Sequence, residues 1–128
     1  MGKKQRKKIF TWHIHGSYLF YLSQGEYDIY IPVNRKKDEG YYGRGLTFPF
    51  GLNVIEVEAE EVKNLNFDII LFQTDKNYLV DQYEILSPSQ QKLPRIFLKH
   101  DPPHDNYASL VVKDPDILVV HVTYFNRL

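Results

Sequence analysis

Apolar runs that suit strands alternate along the chain with segments of helical spacing and with polar connections. Ile9, Phe10, Trp12 and Ile14 make the first β-prone run, which breaks at Gly16-Ser17. Beyond the break Tyr18, Leu19, Tyr21 and Leu22 recur at helical spacing. Strand, glycine turn and helix open a βαβ unit. Gln24-Gly25-Glu26 closes that helix with a glycine in the usual C-terminal position. Residues 27–33 read as a second strand, with Pro32 marking its end or a place near an edge. The stretch 34–51 is polar and then glycine-rich, long for a structureless connection, and reads equally as a functional loop or a flexible insertion.

A third strand is expected over 53–57 and a brief helical turn or loop over 58–62. Residues 67–72 are almost continuously apolar, which a strand buried on both faces demands. Gln73-Thr74-Asp75 then starts a helix with Thr74 or Asp75 as cap. Its apolar side carries Tyr78, Leu79, Tyr83, Ile85 and Leu86, and it ends before Pro88, with a further short turn over 87–91. A fifth strand over 95–99 stops at His100-Asp101-Pro102-Pro103, since two prolines cannot continue a ladder. A sixth buried strand spans 116–123. The pattern predicts an α/β fold: a Rossmann-like open, mostly parallel sheet of about six strands, with helices on both faces and right-handed crossovers.

Composition narrows this picture. A chain of 128 residues with 43% hydrophobic and 15% aromatic residues is at most one folded domain, not a disordered chain. Formal net charge is zero, yet five of the 16 Lys and Arg lie in the first eight residues. Residues 1–8 therefore read as a basic, solvated and disordered tail, and 9–128 as the domain. That body is mildly acidic, which disfavours a nucleic-acid partner. Cysteine is absent, so no disulfide or thiolate metal site exists. No apolar run approaches the roughly 18 residues of a membrane span. The basic start lacks the apolar core of a signal peptide and reads as tail rather than as a contact with an anionic membrane surface. A cytoplasmic protein is expected.

In a parallel sheet all strand exits share one edge, where ligands of open α/β sheets collect. His13, His15, Gly16 and Ser17 fall at the first exit, Thr74 at the fourth, His100 and Asp101 at the fifth, and His121 and Thr123 at the sixth. His13 and His15 share a strand face, where one of them also suits packing against a crossover helix; His121 reads first as a satisfied core group. Thr74 serves equally as cap or ligand contact. His100-Asp101, held by prolines, reads as functional. Arg44, among glycines that allow close approach, suits a phosphate or carboxylate, although the spacing matches no phosphate loop. Three readings follow: a metal-dependent hydrolase using His-x-His and His-Asp, a sugar or nucleotide transferase half-site, and a non-catalytic binding module.

The segments Thr-Trp-His-Ile-His-Gly-Ser-Tyr-Leu-Phe-Tyr-Leu (11–22), Phe-Asp-Ile-Ile-Leu-Phe-Gln (67–73), Asp-Gln-Tyr-Glu-Ile-Leu (81–86), Leu-Pro-Arg-Ile-Phe-Leu-Lys-His-Asp-Pro-Pro (93–103) and His-Val-Thr-Tyr-Phe-Asn-Arg-Leu (121–128) resemble the amino-terminal domain of bacterial glycosyltransferases of the two-Rossmann-domain (GT-B) type. The resemblance covers most of the chain from about residue 8. It implies a metal-independent enzyme, needing no further cofactor, that moves a sugar from a nucleotide-diphosphate sugar to an acceptor hydroxyl. It implies that this half shapes the acceptor side, with Gly16 and Ser17 approaching the donor phosphates and His100 near the transferring sugar. The carboxyl-terminal domain and its Glu-rich donor motif are not in this sequence, so a missing domain or partner chain would supply them, and the chain alone is expected to be inactive. An open sheet edge after the sixth strand makes self-association an expectation.

Overall fold

The computed structural model describes residues 6–14, 16–101 and 114–123, with backbone alone for Ser17, His100, Asp101, Val122 and Thr123. Six strands form one sheet in the order β3-β2-β1-β4-β5-β6. They are β1 Lys7–Phe10, β2 Tyr27–Val33, β3 Val54–Glu58, β4 Ile69–Phe72, β5 Arg95–Asp101 and β6 Ile117–Thr123. Every neighbouring pair runs parallel. The order reverses direction between β1 and β4, which is the switch point of a Rossmann-like α/β fold. Helix α1, Gly16–Ser23, follows β1. A 3-10 helix, Ala59–Asn64, links β3 to β4, and a helical segment over 75–85 links β4 to β5.

Alternation along each strand divides the core between the two faces. Phe10, Ile70, Phe72 and Phe97 point to one face, closed by Val62, Leu86 and the partly buried Tyr78 and Ile85. Ile9, Ile29, Ile31, Leu71 and Leu98 point to the other, closed by Leu19 of α1 and by Phe50. Aromatic contacts knit the first face: Phe10 meets Trp12 edge-on at 4.9 Å and Phe67 at 5.1 Å, and Phe72 meets Tyr78 at 5.5 Å. Each such buried ring contributes about 1.5–3 kcal/mol through removal of apolar area from water. No helix among the described residues is long and apolar enough to cross a membrane.

The sheet differs from the sequence expectation in several places. β1 begins at Lys7, inside the stretch assigned to the tail, because Arg6 pairs with Asp28 at 2.8 Å and the Lys8 amide donates to the Asp68 carboxylate. β1 then ends at Phe10, and Trp12 and His13 leave the ladder. β5 runs on to Asp101, so His100 and Asp101 lie within the strand, facing Val122 and Thr123 in register. Pro32, as expected, lies at the end of its strand and near an edge: it is one residue before Val33 closes β2, and β2 is next to the edge strand β3. The Ile29 amide points to β3 and the Tyr30 carbonyl accepts from Thr11, so the nitrogen of Pro32 faces the β1 side, beyond the last residue of that strand. A missing N–H costs nothing there. Gly25 is not in the left-handed region; a Cβ at that position would collide with the Tyr27 ring.

Candidate functional site

The exits of β1 and β4 are tied together by buried side chains. The Thr11 hydroxyl donates to the Leu71 carbonyl at 2.8 Å, and the Gln73 amide donates to Thr11 Oγ1 at 3.0 Å and to the Trp12 carbonyl at 2.7 Å. Thr11, Trp12 and Gln73 are all buried. The Gln73 side-chain oxygen Oε1 is buried without a hydrogen-bond partner among the described residues. Gln73 therefore closes the switch point with its amide nitrogen while leaving an acceptor unused.

The connection from β2 to β3 packs as a strap across the carboxyl edge. Gly40 bridges to His13 and Tyr42 to Val33. Positive φ at Gly40, Gly43 and Gly45 lets the strap turn where side chains would be strained. Its first half buries Tyr41 in the core of one face, and its second half buries Phe50 in the other. Arg44 is the hub. Its guanidinium donates to the carbonyls of Gly51 at 2.8 Å, Val54 at 2.7 Å and Phe50 at 2.6 Å, and its amide donates to Glu56 at 2.8 Å. The residue expected to meet a ligand anion holds its own loop instead.

The strap also closes the first turn. His13 Nδ1 hydrogen-bonds the Gly43 carbonyl, and the His13 ring stands edge-on to Phe50 at 5.4 Å. A Cβ at Gly16 would overlap the Phe48 ring and lie 3.1 Å from His13 Nε2. A larger residue at 16 would have to displace the Phe48 ring of the strap, and Phe48 covers the place where a donor phosphate was expected to approach.

On the opposite face the edge is open. Thr74 caps the 75–85 helix: its hydroxyl accepts from the Asn77 amide at 3.1 Å, while Asn77 Oδ1 accepts from the amides of Gln73 and Thr74. The helix then widens into a π turn, Asn77–Asp81, before α2, Gln82–Ile85. Asp81 is fully buried, and its carboxylate accepts from Asn77 Nδ2 at 2.9 Å, Lys76 Nζ at 2.8 Å and the Tyr41 hydroxyl at 3.0 Å. Lys76 Nζ also lies 5.4 Å above the Tyr41 ring. Burial pushes the Tyr41 hydroxyl well above its ordinary value. The Trp12 indole beside it pulls partly back without aligning into a hydrogen bond, and the Asp81 and Glu84 carboxylates push up again.

Beside this network lies a hollow of about 460 Å³ lined by Asp38, Tyr41, Lys76, Val80, Asp81 and Glu84 among others. It shares Asn34, Asp38 and Ala59 with a second hollow of about 500 Å³, bounded by Val33 and Glu58 at the exits of β2 and β3. A smaller one of about 250 Å³, with Lys7, Lys8 and Asn66, is at the amino edge, away from the strand exits. At the other end of the carboxyl edge Lys99 is buried, 3.5 Å from Asp75 and in register with the exposed His121.

The structure thus brings His13 and Gly16 together under the strap, turns Arg44 inward and uses Thr74 as a cap. His100, Asp101, His121 and Thr123 occupy the exits of β5 and β6. His15 and the side chains of Ser17, His100, Asp101 and Thr123 lie outside the described parts. No three His, Asp or Glu side chains converge as a metal site among the described residues. Sequence reasoning missed Tyr41, Lys76, Asn77 and Asp81. The only signal for Asn77 and Asp81 is their four-residue separation on a helix that also needs Tyr78 inward. Comparison with protein-family models, with curated proteins and with solved structures finds no match.

Proposed function

We propose that the chain is the acceptor-side Rossmann half of a cytoplasmic glycosyltransferase that moves a sugar from a nucleotide-diphosphate sugar to an acceptor hydroxyl. The observation that carries this reading is an all-parallel sheet of order β3-β2-β1-β4-β5-β6 whose carboxyl edge has one side open as a groove. The resemblance of segments 11–22, 67–73, 81–86, 93–103 and 121–128 supports it. Sugar transfer needs the acceptor hydroxyl positioned and the diphosphate leaving group stabilised. The groove offers a wall for the first task. Arg44, the cation expected for the second, is committed to the strap, so donor contacts come from another domain or chain that closes the cleft and excludes water.

The test is release of nucleoside diphosphate from nucleotide sugars in the presence of carbohydrate acceptors. The purified chain alone releases none above the hydrolysis background, and release begins when a donor-binding Rossmann domain is supplied. Steady turnover by the chain alone contradicts the half-cleft. Release that no donor-binding domain ever stimulates contradicts the transferase reading itself.

A further inference from the structure

We propose that the groove formed by the two hollows between 34–41, 58–60 and 76–85 binds a neutral carbohydrate chain of at least two sugar rings. This deepens the acceptor-side reading and rests on it. Size is the first argument. Hollows of about 460 and 500 Å³ that share Asn34, Asp38 and Ala59 adjoin as one trough, and each is within the size range of small-molecule sites, so together they have room for more than one sugar ring. Two adjoining hollows suit a chain better than a single ring.

The walls supply the second argument. Val80, Ile85 and Ala59 are among the lining residues, and apolar C–H faces of sugar rings pack on such side chains. Hydrogen-bonding groups stand around it in held positions. Lys76 is fixed between the Asp81 carboxylate and the Tyr41 ring, and it uses one of three donors on Asp81. The Asn34 amide is held against Asp38, its Nδ2 donating at 3.3 Å and its Oδ1 accepting from the Asp38 amide. Groups fixed before binding lose little entropy when a ligand arrives. Asp38 and Glu84 offer carboxylate oxygens to sugar hydroxyls, a strong type of hydrogen bond.

Charge is the third argument. Acidic side chains outnumber the basic ones Arg35, Lys36 and Lys76 around the trough. A phosphorylated sugar, a nucleotide or a nucleic acid meets net repulsion there, whereas a neutral saccharide does not. The strap meanwhile covers the first-turn side with Phe48, so a long ligand on the carboxyl edge is directed to the trough.

The experiment is titration of the ¹⁵N-labelled chain with maltotriose, cellotriose and chitotriose, and with glucose 6-phosphate and UDP-glucose as charged comparators. At least one trisaccharide shifts the amide signals of Asn34, Ala59 and Val80 together, and the charged probes leave them in place. Glu84→Gln weakens that trisaccharide about fivefold, near 1 kcal/mol, while Tyr83→Ser on the outer side of the helix leaves it unchanged. Three results overturn the proposal: no shift with any trisaccharide up to about 20 mM, equivalent to a binding energy of only a few kcal/mol; shifts confined to other parts of the edge; or tighter binding of a charged probe at these residues. Saccharide binding in the trough with no transfer from any donor-bearing partner overturns the transferase reading and leaves this one standing.

Discussion

Arg44 and Gly16 each show how a residue that looks ready for a ligand is taken up by the fold. Arginine among glycines has the chemistry to hold a phosphate, but three carbonyls of 50–54 lie closer in sequence and converge on the guanidinium. Glycine after a strand allows a phosphate to approach, but equally allows an aromatic ring. Composition alone does not distinguish these uses. The packing at Gly16 is testable by a double-mutant cycle. Gly16→Ala lowers stability by about 1–3 kcal/mol through overpacking against Phe48, and adding Phe48→Ala recovers much of that loss, read from urea midpoints. Additive losses contradict the contact.

Tyr41 makes a second prediction at this scale. Burial holds its hydroxyl well above the ordinary tyrosine value of about 10, so between that pH and its folded value the unfolded chain holds fewer protons than the native one. Stability is therefore full below about pH 10 and falls as pH rises, by about 1.4 kcal/mol per pH unit for a single group. Tyr18 and Tyr78 are shifted the same way and keep part of the slope. Tyr41→Phe flattens the decline between pH 10 and 11, measured as urea stability against pH; an unchanged slope contradicts the buried hydroxyl.

Among elements, strands were the most legible, because buried apolar runs at 27–33 and 67–72 leave little choice of partner surface. Boundaries were less so: β5 absorbs His100 and Asp101, since pairing with β6 satisfies their backbone before the prolines intervene. The 75–85 helix shows why a periodic pattern can misplace a face. Read at 3.6 residues per turn, Leu79 and Tyr83 join Tyr78 and Leu86 on the core side. The π turn shifts the register, so that Asn77, Asp81 and Gln82 turn inward and Leu79 and Tyr83 are 52% and 62% exposed. Tyr83→Ser and Leu79→Ser should therefore change stability by no more than about 0.5 kcal/mol. Asn77→Ala, which removes a bridge between two backbone amides and the Asp81 carboxylate, costs about 2–4 kcal/mol. The reverse ranking in denaturant melts contradicts the π register.

For the whole molecule, parallel alignment was readable from strands alternating with crossovers, and with it the placing of His13, Thr74, His100 and His121 at one edge. What stayed hidden was the path of residues 34–53. Polar and glycine-rich composition describes a loop but not its route, which depends on Tyr41 finding Asp81 forty positions away and on Phe48 and Phe50 finding α1. That route divides the carboxyl edge into a closed first turn and an open trough, and both functional proposals depend on the division. Hydrogen exchange of the backbone amides of Tyr41, Arg44 and Phe50, each bonded within the strap or to Glu56, tests it most directly. The account predicts protection approaching that of the β2 core amides, because opening the strap uncovers buried Tyr41 and Phe50. Exchange at the rate of an unstructured peptide contradicts it, since the first turn would then be as open as the trough.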